Sequence, residues 1–311
     1  MSDNPIEITG LSKAYGDFKA VDNLTLSIKK NSFTGLLGPN GAGKSTTLKI
    51  ITNLIRKTSG SVYLNGVDVT TNAKEALVGV GTVVETPEFY LYLTPRESMQ
   101  YIGKLIGMTN ESIAAETDEI LHTMKMSEWA DSKLGTFSKG MRQRIAIGQA
   151  LLNSPNIIFL DEPTSGLDPR GMAETRDILK ALKSRDLTVL MSSHLLNEVS
   201  DLCDRVAMIN HGKLLVHDDF DKITASDGNR IIKAKVTSVI SPDVLNSIRA
   251  IPNVQSAENF GGEIDIRMSG GNDEQAELLR SLYAMNIGLY NLSGDERMLE
   301  AKYLDLIKET R

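Results

Sequence analysis

Residues 38–46 read Gly-Pro-Asn-Gly-Ala-Gly-Lys-Ser-Thr, and they constrain the fold more than any other stretch of the chain. The apolar segment 33–37 enters this run, and residues 47–54 leave it with helical periodicity. A strand, a glycine-rich loop and a helix, closed by Lys-Ser at the right spacing, make the phosphate-loop pattern. Gly38, Gly41 and Gly43 let the backbone bend into a nest of amide hydrogens aimed at phosphate oxygens, and the helix that follows adds the positive end of its dipole. Pro39, Asn40, Ala42 and Thr46 complete the cradle. Lys44 reaches the outer phosphates, and Ser45 offers a hydroxyl to magnesium, an ion that keeps several waters and takes few protein ligands. The loop therefore predicts a bound nucleoside triphosphate with Mg2+.

The rest of the N-terminal two thirds reads as an α/β layer around that loop. Residues 6–11 and 20–28 alternate as half-buried strands. Between them stands Tyr15, open to two readings: packing beside a turn glycine, or stacking on a base. Asn65-Gly66 is a hairpin signal, and residues 77–84 read as a buried strand ended by Pro87. Residues 94–129 turn helical, with Thr94-Pro95-Arg96-Glu97 as the start. Phe89, Tyr90 and Tyr92 fit either core packing of this insert or a groove for a partner's helix. Residues 137–152 form a second long helix, followed by an apolar strand, 156–160, that ends in Asp161-Glu162-Pro163.

Two carboxylates at the carboxyl end of a buried strand need a cation, which magnesium triphosphate supplies. Asp161 is placed to hold magnesium through a water, and Glu162 to orient or deprotonate the attacking water. Residues 187–192 form another strand, which delivers Ser193 and His194 to the same edge, where His194 is open to two readings: a structural histidine, or a contact to the γ-phosphate. His122, His211 and His217 lack ligand spacing, so no transition-metal site is expected.

Length and composition exclude several classes. At 311 residues there is room for about two domains. A net charge of -6 gives no general attraction to nucleic acid, and no such partner is expected. Cys203 is the single cysteine, so no intrachain disulfide forms. Residues 1–8 lack the features of an export signal, and no run reaches the roughly 20 apolar residues of a spanning helix. Beyond a polar linker at 221–228 the periodicity changes. Strands at 230–239, 254–260, 263–268 and 287–292 and helices at 242–251, 273–285 and 295–308 give β-α-β-β-α-β and a last helix, the order of a small α+β ferredoxin-like domain over 229–311. That sandwich does not fix a function.

Taken in order, these motifs resemble the ATP-binding subunit of an ABC transporter over residues 5 to about 225. The resemblance implies an α/β P-loop NTPase: a RecA-like core with an antiparallel β subdomain and a helical insert at about 86–152, within a domain of residues 1–220. It implies that ATP stacks on Tyr15 and sits in loop 38–46. Ser138 and Gly140 would be the signature that touches the γ-phosphate held by an opposite subunit. Asp161 and Glu162 would be the Walker B pair with its general base, His194 the switch histidine, and Lys44 the third catalytic group. Ser165-Gly166-Leu167-Asp168 matches the loop that crosses the dimer interface, where Lys139 would join Ser138, Gly140 and Asp168.

Two departures stand out. Residues 137–141 read Phe-Ser-Lys-Gly-Met where the family has Leu-Ser-Gly-Gly-Gln, and Glu85 replaces the lid glutamine, as a third magnesium group beside Ser45 and Asp161. Both variants are similar to the drug, antibiotic and lantibiotic exporters. The implied partners are a separate integral membrane permease, engaged through residues 86–136 of the insert, and a second ATP-binding subunit, a homodimer in preference to a heterodimer. The implied location is the cytoplasmic face of the membrane. The alternatives are a non-transport ABC ATPase acting on ribosomes or DNA, and an importer ATPase with a ligand-sensing C-terminal domain.

Overall fold

The computed structural model describes residues 3–220, 222 and 229–294. They divide into two compact units, Met1–His217 and Asp218–Arg311. The expected linker at 221–228 and the expected last helix at 295–308 lie outside the described residues, apart from Lys222.

Two sheets build the first unit. In the smaller, β1 (Ile6–Tyr15) pairs antiparallel with β2 (Phe18–Ile28) and with β4 (Ser59–Leu64), which turns back into β5 (Val67–Asp68). Asn65 and Gly66 both adopt positive φ, 50° and 82°, as a two-residue hairpin loop demands. Both β1 and β2 reach closer to the Gly16-Asp17 turn than the alternating stretches 6–11 and 20–28 suggest.

The larger sheet follows the order β10-β9-β3-β8-β7-β6. Its strands are β3 (Phe33–Leu37), β6 (Val80–Val83), β7 (Ile157–Asp161), β8 (Thr188–Ser193), β9 (Arg205–Asn210) and β10 (Lys213–Asp219). Strands β9, β3, β8, β7 and β6 run parallel. All five residues of β3 are buried, the near-continuous apolar run of a strand covered on both faces. With β3 between β8 and β9, the loop leaving Leu37 and the segments leaving Asp161 and Ser193 meet at one edge, the carboxyl edge where open α/β sheets bind ligands.

Helix α1 (Lys44–Ile51) follows the loop and buries Leu48, Ile50 and Ile51 in a core shared with β1, β2, β4 and β7. A short helix, α2 (Ala73–Ala76), ends just before the span read as strand 77–84, and only Val80–Val83 of that span forms β6. Gly79 at φ 70° breaks the extended run that the apolar pattern suggests.

The helical stretch 94–129 is two helices, α3 (Pro95–Leu105) and α4 (Asn110–Thr123). A capping box starts α3: Thr94 Oγ1 accepts from the Glu97 amide, and the Thr94 amide donates to Glu97. Gly107 at φ 87° and the cap at Thr109 divide the two. Then come α5 (Lys139–Ala150), α6 (Pro169–Leu182) and α7 (Leu196–Leu202).

The second unit holds β11 (Asn229–Val236), α8 (Pro242–Arg249), β12 (Val254–Asn259), β13 (Glu263–Ser269), α9 (Asn272–Ala284) and β14 (Leu289–Gly294). Its sheet has the order β12-β13-β11-β14 with every pair antiparallel. Ile232 and Ala234 on β11 and Ile264, Ile266 and Met268 on β13 bury one face at period two, joined by Ile248 of α8 and by Leu278 and Leu282 of α9.

Candidate active site

Loop 38–43 has the form a phosphate cradle needs. Gly41 and Gly43 sit at φ 80° and 103°, and Gly43 is the N-cap of α1, so no side chain covers the first amides of that helix. A Cβ at Gly43 would meet the Ala20 carbonyl oxygen at 2.4 Å, and one at Gly38 the Ile209 carbonyl oxygen at 2.3 Å. Neighbouring strands therefore hold the loop from behind: the Gly212 amide donates to Ala42 O, and the Asp22 amide donates to Gly212 O. Asp22 accepts from Lys19, which holds its carboxyl below the usual range.

Lys44 is buried and curls back into the cradle, donating to the carbonyls of Gly38 at 2.8 Å and Pro39 at 3.1 Å. Its ammonium stands 3.5 Å from Glu162 Oε1. Glu162 Oε2 faces His194 Nδ1 at 3.1 Å, so one carboxylate bridges a lysine and a histidine. Glu162 is held at φ 44°, a left-handed conformation that a glutamate adopts only when its surroundings impose it. The imposing group is Ser192, which sequence reasoning missed: its hydroxyl accepts from the Glu162 amide at 2.9 Å and donates to Asp161. The sequence signal lies in Ser192 being a hydroxyl two residues before His194 at the end of an apolar strand.

Asp161 and Ser45 are the residues expected to hold a divalent ion. One carboxylate and one hydroxyl suit magnesium better than a transition metal. Among the described residues no cluster of three His, Cys, Asp or Glu side chains is placed to hold a metal. Glu85, expected as a third metal group, instead makes an ion pair with Lys49, one turn beyond Ser45 on α1. Glu85 is exposed and at φ 78°. The sequence gives no hint of that pairing, because Lys49 and Glu85 are far apart in the chain.

Tyr15 is 52% exposed at the end of β1 with the Lys13 ammonium 4.7 Å from its ring centre. The ring is exposed and lies outside the core. Tyr90 and Tyr92 are exposed too, with ring centres 5.8 Å apart, and Tyr101 meets Tyr90 edge-on. A cavity of about 430 Å3 is lined by Thr86, Phe89, Leu91, Lys139 and Arg142, among others, so of the aromatics in this stretch Phe89 borders a groove. A cavity of about 590 Å3 at the amino ends of the strands, bordered by Asn31, Asn156 and Thr188, contains none of the motif residues.

The second cluster gathers around α5 and α6. Ser138 caps α5 by accepting from the Met141 amide at 3.2 Å. Gly140 permits a close helix crossing, since a Cβ there would lie 3.3 Å from Gly171 Cα. Lys139 donates to Ser165 O at 3.0 Å, and Asp168 caps α6 by accepting from the Gly171 amide at 2.8 Å. Arg144, its charge disfavoured by burial, pairs with Glu174 of α6 at 3.2 Å. Among the described residues, Ser138, Lys139 and Gly140 make no hydrogen bond or ion pair to loop 38–46, Asp161, Glu162 or His194. The Ser138 cap and the phosphate-loop edge are linked only indirectly, through the Lys139 bond to Ser165 O and the Ser165 amide's bond to Glu162 O.

No helix of the described residues is long and apolar enough to cross a membrane. The family described as ABC transporter matches residues 21–165. A bacitracin transport ATP-binding protein of Bacillus licheniformis is 41% identical over 219 residues, covering 70% of this chain and 71% of its own length. A linearmycin resistance ATP-binding protein of Bacillus subtilis is 33% identical over 308 residues, 98% of this chain and 99% of that one. Among solved structures, an ATP-binding subunit of an ABC transporter superposes with a TM-score of 0.64 at 26% identity, over 72% of this chain and 93% of that one. A dimeric ATP-binding cassette in a post-hydrolysis state, bound to ADP and Pi, gives 0.61 at 27% identity, over 69% and 98%.

Proposed function

Because the chain belongs to the ABC transporter family of ATP-binding subunits, we propose that it is the ATP-hydrolysing motor of a membrane exporter for antibiotic-like compounds. Names of relatives support export: bacitracin transport and linearmycin resistance are functions of drug-expelling systems. The observation that carries the mechanism is that Ser138 is spent on capping α5 and makes no direct hydrogen bond to loop 38–46, Asp161, Glu162 or His194, so we read two half-sites. Loop 38–46, Asp161, Glu162 and His194 form one, and the Ser138 cap with Gly140 forms the other. A second copy turned by a two-fold axis would bring its Ser138 to the γ-phosphate on this chain's Lys44.

In that pair Tyr15 stacks on adenine and loop 38–46 wraps the triphosphate. Lys44 exchanges the carbonyls of Gly38 and Pro39 for phosphate oxygens. Magnesium, held by Ser45 and through water by Asp161, would neutralise charge on the phosphates. Glu162 takes the proton of the attacking water, and its position is held by His194 and by the Ser192 hydroxyl. Asp168 and Lys139 line the contact between the two copies.

The groove beside Phe89 receives the permease, placing the chain on the cytoplasmic face of the membrane. The C-terminal unit, read as ferredoxin-like, stabilises the dimer. Purification of the full-length chain with its partners from native membranes tests the reading. Recovery of an integral membrane protein, with ATP hydrolysis abolished by Glu162→Gln, is the expected result. Recovery with ribosomes, or with an extracytoplasmic binding protein, would replace it by one of the alternatives.

A further inference from the structure

The network around Glu198 is used by none of the roles above. Glu198 lies in the first turn of α7 and is 2% exposed. A carboxylate at that depth is costly unless its oxygens are satisfied, and an apolar side chain would usually serve packing as well. Its two oxygens are claimed by two different segments, the end of β8 and the turn after β7. Oε2 accepts from Ser193 Oγ at 2.7 Å, and Oε1 accepts from Thr164 Oγ1. The Arg176 guanidinium stands 4.0 Å from Oε1 and is shared with Asp201 at 3.9 Å.

Each hydroxyl belongs to a segment that bears on the chemistry. The Ser193 hydroxyl also accepts from the Leu195 amide at 3.0 Å, so it brackets His194 on both sides. Thr164 lies in the turn that starts at Glu162 and runs on to Asp168: the Ser165 amide donates to Glu162 O, and the Leu167 amide to Thr164 O. A closed ring results. It runs from Glu162 through its turn to Thr164, across Glu198 to Ser193, on to His194, and back through the His194 to Glu162 contact.

We infer that Glu198 is a positioning residue that couples the 164–168 turn to His194, so that a displacement of that turn by a second copy reaches the hydrolytic edge. The inference rests on the reading of Glu162 and His194 as that edge. A rigid buried clamp suits the task, because packed networks shift between discrete arrangements and do not deform smoothly.

The test uses the full-length chain and the variants Glu198→Ala, Glu198→Gln, Thr164→Val and Ser193→Ala. Glu198→Ala is expected to lower kcat by about tenfold or more, the scale set by small misplacements of catalytic groups, with KM for ATP held within about twofold. Glu198→Gln is expected to keep roughly a third of turnover or better, since its amide accepts from one hydroxyl and donates to the other. Thr164→Val, which touches neither Glu162 nor His194, should slow turnover about fivefold, and adding Ser193→Ala should cost little more, because both act through one carboxylate.

A second readout needs no nucleotide: Thr164→Val should move the ring proton resonances of His194 and leave those of His122 and His211 in place. Unchanged turnover in Glu198→Ala overturns the inference. So does parallel loss of kcat, ATP binding and thermal stability with no rescue by Gln. Should Glu198→Ala fail to fold, Thr164→Val and Ser193→Ala decide, a silent pair of variants sinking the clamp. If Glu162→Gln stops hydrolysis while these variants are silent, the clamp alone fails. If Glu162→Gln hydrolyses like the wild type, the functional reading falls and takes the clamp with it.

Discussion

Replacing Glu162 by Gln changes the least structure and the most chemistry. The amide keeps the shape of the side chain and can still meet His194 Nδ1, now at 3.1 Å from Oε2. The backbone tie to Ser192 is untouched, so the loss of stability is confined to the Lys44 ion pair, about 1 kcal/mol. What disappears is the carboxylate that accepts a proton. Loss of a general base costs about 10²–10⁴ in rate, roughly 3–5 kcal/mol of barrier.

The same substitution frees Lys44. At 3.5 Å and an effective dielectric near 20, its attraction to Glu162 is roughly 4–5 kcal/mol gross. Solvent and desolvation of both groups cancel most of that, leaving about 1 kcal/mol. ATP must displace this ion pair in the wild type but not in the variant, so binding should tighten about fivefold. Steady-state phosphate release and titration with a fluorescent ATP analogue measure the two effects separately. Turnover within threefold of wild type, or weaker binding, would refute both the assignment of Glu162 and the competition for Lys44.

Tyr15→Ala should weaken ATP binding by about 1 kcal/mol or more, the value of an aromatic stacking platform, with inorganic tripolyphosphate unaffected; equal losses for both in a calorimetric titration would place Tyr15 outside the base site. Gly140→Val forces atoms into a crossing where a Cβ alone would already lie 3.3 Å from Gly171. A loss of about 1–3 kcal/mol follows, read as a fall in Tm, and an unchanged Tm would deny the close packing of α5 on α6. Cys203 is buried and its thiol is pushed far above the usual 9.0 by desolvation. It should resist iodoacetamide until the chain unfolds. Because the folded value is the higher one, its contribution to stability is complete below pH 9 and declines as alkali ionises the unfolded chain. Rapid alkylation of the native protein at pH 8 would contradict the burial.

The parts of the site that local chemistry dictates were legible in the sequence. Glycines at 41 and 43 with Lys44 allow little but a phosphate cradle, Thr94-Pro95 starts a helix, and Asn65-Gly66 makes a tight hairpin. Long-range partners were not legible. Nothing near Glu85 in the chain points to Lys49, and the hold of Ser192 on Glu162 exists only because β7 and β8 lie side by side, with Asp161 opposite Ser192. Local apolar pattern misled at residues 77–84, where Gly79 ends the extended run and only Val80–Val83 joins the sheet. The helical stretch 94–129 divides for the same kind of reason, at Gly107 and the Thr109 cap.

Mixing two inactive variants tests the shared site most directly. Lys44→Ala removes the phosphate lysine. Ser138→Asp keeps an N-cap for α5 while setting a negative charge against phosphate. If sites are completed between two copies, a mixed pair holds one intact site, formed by the Lys44 of one chain and the Ser138 of the other. An equimolar mixture should then recover about a quarter of wild-type ATP hydrolysis, since half the pairs are mixed and each carries one of two sites. A mixture as inactive as its components would contradict the shared site, and with it the account of how this chain works.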